Sequence, residues 1–241
     1  MADAQPLRLY VTASLGEGTA ITLEREQSHY LINVMRRTEG APVDVFNGRD
    51  GEWRAYISAA DKKATELSLD AQSRPQTETP DVWLLFAPLK KDRTDFVIEK
   101  ATELGVSKIL PVITEHTQTG RVNVERLSAT ALEAAEQSRR LSVPEIMDAT
   151  ALDMVLDNWS AERTLIFLDE TGGGQPIARS LSGIDRPLAF LIGPEGGFSP
   201  AELDRLGKLP FSVAADLGPR ILRAETAAVA ALAVRQSIFE T

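Results

Sequence analysis

The stretch "PLAFLIGPEGGFSPAEL", Pro187 to Leu203, runs from an apolar segment through a glycine-rich turn into a segment that starts like a helix. Leu188 to Ile192 is uniformly apolar, the pattern of a buried strand. Ser199 is a good N-cap, Pro200 suits the first helical position and Glu202 completes an S-x-x-E capping box, so helix chemistry explains the end of the turn. It leaves Gly193, Pro194, Glu195, Gly196 and Gly197 unexplained. The turn has neither the lysine of a P-loop nor the glycine spacing of a dinucleotide fingerprint. Its glycines let the backbone approach a ligand closely, and Pro194 lowers the entropy lost on ordering it. It therefore offers peptide N–H and C=O groups, which suit an adenine edge or a ribose better than a triphosphate. A plain strand-to-helix turn is the competing reading.

Further on, "DLGPRILRAETAAVAAL", Asp216 to Leu232, again sets a Gly-Pro pair after a strand, follows it with Arg220 and Arg223, and enters a helix near Glu225 and Thr226. Here too a turn is the plainer reading, with Glu225 merely favourable at a helix N-terminus. Two such loops at neighbouring strand ends would wall a single pocket. The surrounding chain supports a common sheet. "DVWLLFAPL", "SKILPVI", "RTLIFLDE", "PLAFLIG" and "FSVAADLG" read as strands. "RTDFVIEKATELG", stopped by Gly105, "VERLSATALEAAEQSRRL", "SPAELDRLGKL" and "AETAAVAALAVRQSIFE" read as helices. This alternation predicts an α/β domain with a mainly parallel sheet and ligands beyond the carboxyl ends of its strands.

The amino-terminal part has a different rhythm. "APVDVFNGRDGEWRAYISAA" alternates through Val43 and Val45, turns at Asn47-Gly48 and Asp50-Gly51, and alternates again through Trp53, Ala55 and Ile57, which is a β-hairpin pattern. "SHYLINVMRR" reads as a short helix with Ser28 as cap and Tyr30, Leu31, Val34 and Met35 as its buried stripe. Polar residues and two prolines in "AQSRPQTETPD", Ala71 to Asp81, mark a boundary that divides the chain into domains at 1–75 and 76–241.

Composition narrows the function. With 43% hydrophobic and 25% charged residues in 241, the chain has the make-up of a folded globular protein. The absence of cysteine removes disulfides, thiolate metal sites and thiol nucleophiles, and two histidines, His29 and His116, are too few for a histidine-rich metal centre, so no metal is expected. Both histidines read as structural or exposed. The start lacks a basic region followed by an apolar core, and no segment reaches the roughly 20 apolar residues that span a bilayer, so a cytoplasmic protein with no membrane partner is expected. A net charge of -9 argues against indiscriminate coating of nucleic acid. Small basic clusters remain at Arg36-Arg37, Lys90-Lys91-Arg93 and Arg139-Arg140, and each taken alone reads as a solvated face. Glu99, Lys100 and Glu103 read equally as a surface ion pair and as functional groups, and "DETGGGQPI" reads as a flexible loop.

The segments "LIGPEGGFSPAEL", "LGPRILRAETAAVAAL", "KATELGVSKILPV" and "AAEQSRRLSVPEI" resemble the signature segments of the ribosomal small subunit methyltransferase E family. "HYLINVMRRTEGAPVDVFNGRDGEW" resembles that family's PUA-like RNA-binding β-barrel, so the resemblance covers nearly the whole chain. It implies a SPOUT-type α/β knot domain, with a deep trefoil knot, behind a small PUA-like β-barrel. It also implies a homodimer that methylates N3 of a uridine in 16S rRNA, in the assembled small subunit, with S-adenosylmethionine as donor. The family's donor pocket is built from three loops. They match Leu168 and Glu170 at the end of "LIFLDE"; Leu191, Ile192, Gly193, Pro194, Glu195, Gly196 and Gly197; and Leu217, Gly218, Ile221, Leu222, Arg223 and Thr226. Arg140 matches the basic residue of the family's "EQ..R...PEI" pattern, whereas Arg139 falls at a variable position.

Methylation of uracil N3 is an in-line displacement at a sulfonium methyl and needs a deprotonated, aligned nitrogen. Negative charge then spreads over the flanking carbonyl oxygens, where a positioned arginine stabilises it. Arg223 is the first choice for that role, with Arg140 and Arg220 behind it. Glu225 or Glu195 can accept the proton, directly or through water, or can instead satisfy backbone N–H groups. Two rival readings are a non-catalytic RNA-binding adaptor with a methyltransferase-like fold and a doubly wound nucleotide-binding enzyme. The first would be expected to lose the paired Gly-Pro loops, which are intact, and the second to carry an early G-x-G-x-x-G, which "LLFAPLKKD" lacks.

Overall fold

Backbone hydrogen bonding in the computed structural model, which describes residues 6–184 and 187–239, separates the chain into two main sheets. Met1 to Gln5, and Glu240 at the end of the last expected helix, lie outside the described residues. The chain divides into two compact units, one formed by residues through Glu78 together with Ala135–Val143, the other by Thr79–Ala134 and the chain from Pro144 onward. The sequence reading made no provision for the contribution of 135–143 to the first unit.

In the first unit, strands β1 (Leu7–Tyr10), β2 (Ala20–Thr22), β3 (Pro42–Phe46), β4 (Glu52–Ala59) and β5 (Glu66–Arg74) form a sheet in the order β1-β3-β4-β5-β2. β3 and β4 pair antiparallel with Val45 opposite Trp53, as expected of the hairpin. Its turn is held by Asn47, whose Oδ1 accepts the N–H groups of Arg49 at 3.0 Å and Asp50 at 2.9 Å. Leu9, Leu31, Val43, Val45, Ala55, Ile57, Leu67 and Leu69 form its core.

The expected helix at "SHYLINVMRR" differs. α1 (Arg25–His29) begins earlier and runs into a π-helical turn, Tyr30–Val34, in which the Met35 N–H donates to the Tyr30 carbonyl at 2.9 Å. Ser28 is not a cap. It is buried inside α1, where its hydroxyl donates to the Leu23 carbonyl and accepts the Thr65 N–H. Of the expected stripe only Leu31 is buried, while Tyr30 and Val34 are exposed. The i→i+5 bond widens the turn and rotates those side chains off a common face.

The second unit contains β6 (Val82–Phe86), α2 (Lys91–Glu103), β7 (Lys108–Ile113), most of α3 (Val124–Gln137), β8 (Glu145–Ile146), β9 (Thr150–Ala151), α4 (Leu152–Asp157) and β10 (Thr164–Leu168). It continues with β11 (Gln175–Pro176), α5 (Ile177–Leu181), β12 (Leu188–Ile192), α6 (Pro200–Lys208), β13 (Ser212–Asp216) and α7 (Ala224–Phe239). All pairings are parallel, in the order β11-β13-β10-β12-β6-β7-β8, with β9 on β7. Every residue of β10 and β12 is buried, because helices cover both faces of a parallel sheet and leave no side of a central strand to water. Ser199 and Glu202 form the expected capping box at α6, and α2 ends ahead of Gly105, whose φ is +85°.

Candidate functional site

β12 lies between β10 and β6, and β13 lies on the far side of β10, so the carboxyl ends of these strands meet at one edge of the sheet. The loops leaving β10, β12 and β13 enclose a cavity of about 650 Å³. It is lined by residues 168–172, by Ile192, Gly193, Pro194, Glu195 and Gly197, by residues 215–224, and by Ala227. The size lies within the usual range for a small-molecule site.

The local chemistry of each loop sets this shape. The Gly197 N–H donates to the Pro194 carbonyl at 3.0 Å and closes the turn. Gly197 has a φ of +72°, a left-handed backbone that favours glycine, and a Cβ there would oblige the exposed Glu170 carboxylate to shift. Gly218 has a φ of +101°, and its N–H donates to Asp216 Oδ1 at 2.8 Å. Two elements outside the cavity lining brace the Gly-Pro-Glu-Gly-Gly turn. The His116 ring donates from Nδ1 to the carbonyls of Gly196 and Gly197 at 3.2 and 3.1 Å, and the Glu115 N–H donates to Glu202 Oε1 at 2.9 Å. From α2, Arg93 Nη1 donates to Glu195 Oε1 at 3.2 Å.

The lining carries four carboxylates, Asp169, Glu170, Glu195 and Asp216, against the guanidinium groups of Arg220 and Arg223. Excess negative charge favours a cationic ligand over a phosphate-bearing one. Arg220 and Arg223 are exposed, and neither side chain makes a hydrogen bond or ion pair among the described residues. Also among the described residues, no cluster of His, Cys, Asp or Glu is placed to hold a metal ion, and no helix is long and apolar enough to cross a membrane.

Residues 77–236 match the family model of an RNA methyltransferase domain, and residues 23–70 match that of an RNA methyltransferase PUA domain. A ribosomal RNA small subunit methyltransferase E from Rickettsia conorii is 35% identical over 94% of this chain and 93% of its own length. The chain belongs to the ribosomal RNA small subunit methyltransferase E family. Among solved structures similar to this methyltransferase, the Neisseria gonorrhoeae enzyme of the same name, bound to S-adenosylmethionine, superimposes with a TM-score of 0.87 at 27% identity, covering 97% of this chain and 98% of that one. A Legionella pneumophila protein in complex with bound S-adenosylmethionine gives a TM-score of 0.87 at 29% identity, covering 98% of each chain.

Of the residues singled out from the sequence of this methyltransferase, Leu168, Glu170, Ile192, Gly193, Pro194, Glu195, Gly197, Leu217, Gly218, Ile221, Leu222 and Arg223 line the cavity. Leu191 does not, because alternation along β12 turns its side chain into the core with Leu85, Phe167 and Phe198. Gly196 is the outer corner of the turn, and Thr226 is exposed on α7. Glu225 is adjacent to the lining, with its Oε1 3.7 Å from Arg93 Nε. Arg140 belongs to the first unit, where its Nη2 donates to Ser142 Oγ at 3.2 Å. Lys100 pairs with Glu103 at 2.8 Å and Glu99 at 2.7 Å, hydrogen bonds that hold its ammonium above the usual lysine value. Sequence reasoning missed His116 and Arg93 as braces of the turn, and local sequence carries no signal for either.

Proposed function

We propose that this protein transfers the methyl group of S-adenosylmethionine to N3 of a specific uridine in 16S rRNA, within the assembled small ribosomal subunit. The observation that carries the reading is the single cavity walled by both Gly-Pro loops, rich in carboxylates and edged by two uncommitted arginines. Its backbone-lined, acidic interior suits a sulfonium donor, and its exposed arginines suit the charge that develops on an acceptor base. Glu225 accepts the N3 proton in this reading, and Arg223 stabilises the uracil oxygens. The donor supplies only the electrophilic methyl; these residues bind, align and deprotonate.

The same reading extends to architecture. Thr79–Ala134 with the chain from Pro144 is the methyltransferase domain, and the first unit is the RNA-binding domain. A trefoil knot is supported by the path of the chain. After β13, on the far side of β10, it turns back along the loops of β10 and β12 to pack α7 against α2 and β12. A homodimer is supported by Phe96 of α2 and Ile238 and Phe239 of α7, large apolar side chains left exposed on two helices that pack together. Light scattering giving the 26.3 kDa monomer at micromolar concentration would contradict the dimer. An rRNA substrate places the reaction in the cytoplasm.

The deciding experiment is nucleoside mass spectrometry of 16S rRNA from cells lacking this protein. Loss of 3-methyluridine is expected. Undiminished 3-methyluridine would overturn the assignment.

A further inference from the structure

Arg93 belongs to a basic run that reads, as sequence, like a solvated face. Its position is nevertheless tightly fixed. β6 pairs with β12 in parallel register to their carboxyl ends, and the Ala87 N–H donates to the Ile192 carbonyl at 3.0 Å just beyond. The chain that leaves β6 is therefore delivered beside the Gly-Pro-Glu-Gly-Gly turn. The buried Thr94 hydroxyl donates to the Leu89 carbonyl at 3.0 Å and accepts the Leu89 N–H at 3.1 Å, which pins the first turn of α2. From that turn the Arg93 guanidinium reaches two carboxylates on two other elements: Glu195 Oε1 at 3.2 Å from Nη1, and Glu225 Oε1 at 3.7 Å from Nε.

Glu225 is the more constrained of the two. Its side chain is 13% exposed, against 31% for Glu195. Glu225 Oε2 is buried and has no hydrogen-bond partner among the described residues. A carboxylate withdrawn from water is costly unless a charge partner compensates it, and Arg93 is the cation that faces this one. The partner engages one oxygen and leaves the other uncommitted.

We propose that Arg93 is a positioning residue for methyl transfer: its guanidinium fixes the Glu225 carboxylate by Oε1 beside the cavity lining, in the place from which it takes the acceptor's proton. This rests on the reading of Glu225 as proton acceptor. Lysine cannot substitute fully, because one ammonium nitrogen does not span two carboxylates, one on the Gly-Pro-Glu-Gly-Gly turn and one on α7, as the planar fork does.

The test is single-turnover methylation of small ribosomal subunits at saturating S-adenosylmethionine, beside donor titration, for wild type, Arg93→Ala, Arg93→Lys, Glu195→Gln, Glu225→Gln and the Arg93→Ala/Glu225→Gln pair. Misplacing a reacting group by about an ångström costs up to about a hundredfold. Arg93→Ala is therefore expected to slow transfer by about tenfold to a hundredfold while donor affinity changes less than about threefold. Arg93→Lys should recover part of the rate, and the double variant should be no slower than Glu225→Gln alone. Arg93→Lys and the double variant are each judged at a melting temperature matched to wild type, so a poorly folded alanine variant does not decide the outcome. Normal transfer by Arg93→Ala would overturn the proposal, as would a loss that saturating donor restores, a loss that Glu195→Gln reproduces, or independent losses in the double variant. A wild-type protein that transfers no methyl group would overturn the functional reading and this inference with it.

Discussion

Arg8 in the first unit and Arg223 in the second show how differently the two units use charge. The Arg8 side chain is 10% exposed and donates to Glu52 at 2.6 Å and to the carbonyls of Ala135, Glu136 and Arg140 at 3.0, 2.7 and 2.7 Å. Its guanidinium also sits 4.5 Å from the centre of the Phe46 ring. Arg223 stands exposed at the rim of the cavity, without a hydrogen bond or ion pair among the described residues. A buried, fully engaged cation holds a fold together, whereas an exposed, uncommitted one beside a cavity is free to meet a ligand. Arg54 lies between the two: its side chain is 35% exposed and engages one carboxylate, Asp44, whose hydrogen bond at 2.5 Å raises its already high pKa further.

Removing Arg8 attacks the contrast most strongly. Arg8→Ala leaves Glu52, 7% exposed, without its close partner and strips three carbonyls of a donor. A stability loss of about 3 to 5 kcal/mol is expected from breaking a buried pair, measured by denaturant unfolding. A loss under about 1 kcal/mol would place Arg8 among ordinary surface pairs.

Arg223→Ala tests the other side. Transfer should fall about a hundredfold, the scale for removing one donor to a developing oxyanion, with little change in melting temperature or donor affinity. Parallel loss of donor binding and stability, with turnover at saturation preserved, would make Arg223 a structural residue like Arg8.

A smaller effect sharpens the comparison within the first unit. The Leu15 N–H and then the Asn47 amide, donating at 2.9 and 2.7 Å, hold the Asp50 carboxyl below its ordinary value, outweighing a small opposing effect of burial. Because the folded-state value is the lower one, this stabilisation is complete above about pH 4 and is lost as pH falls through the folded value. Asp50→Asn should cost about 1 kcal/mol at neutral pH, and the gap in melting temperature from wild type should narrow in strong acid. A gap that stays constant from pH 7 to about pH 2 would show that the charge of Asp50 plays no part.

How far each feature could be read from sequence follows the range of the interactions that make it. The five main strands of the second unit and its four long helices were readable because apolar runs, helical periodicity and stop signals lie within a few residues of one another. The short elements β8, β9, α4, β11 and α5 went unread, being too brief to show a period. The π-helical turn at Tyr30–Val34 defeated the stripe assigned there, because its residue spacing fits neither a 3.6-residue nor a two-residue repeat. In the site, the glycine turns and Arg223 stood out locally, while the brace from His116 to Gly196 and Gly197 did not, since it joins residues 80 and 81 positions apart.

Sequence by itself determined the Ser199–Glu202 capping box, the Asn47 turn and the strand–loop–helix character of both Gly-Pro segments, because each is made by atoms no more than a few residues apart. Tertiary structure alone decided that Arg93 meets Glu195 across 102 residues, and that residues 135–143 return to the first unit to receive Arg8. The order of strands in a sheet determines which loops become neighbours, and no local pattern specifies that order. It is settled only when the buried strand faces of the whole unit pack together.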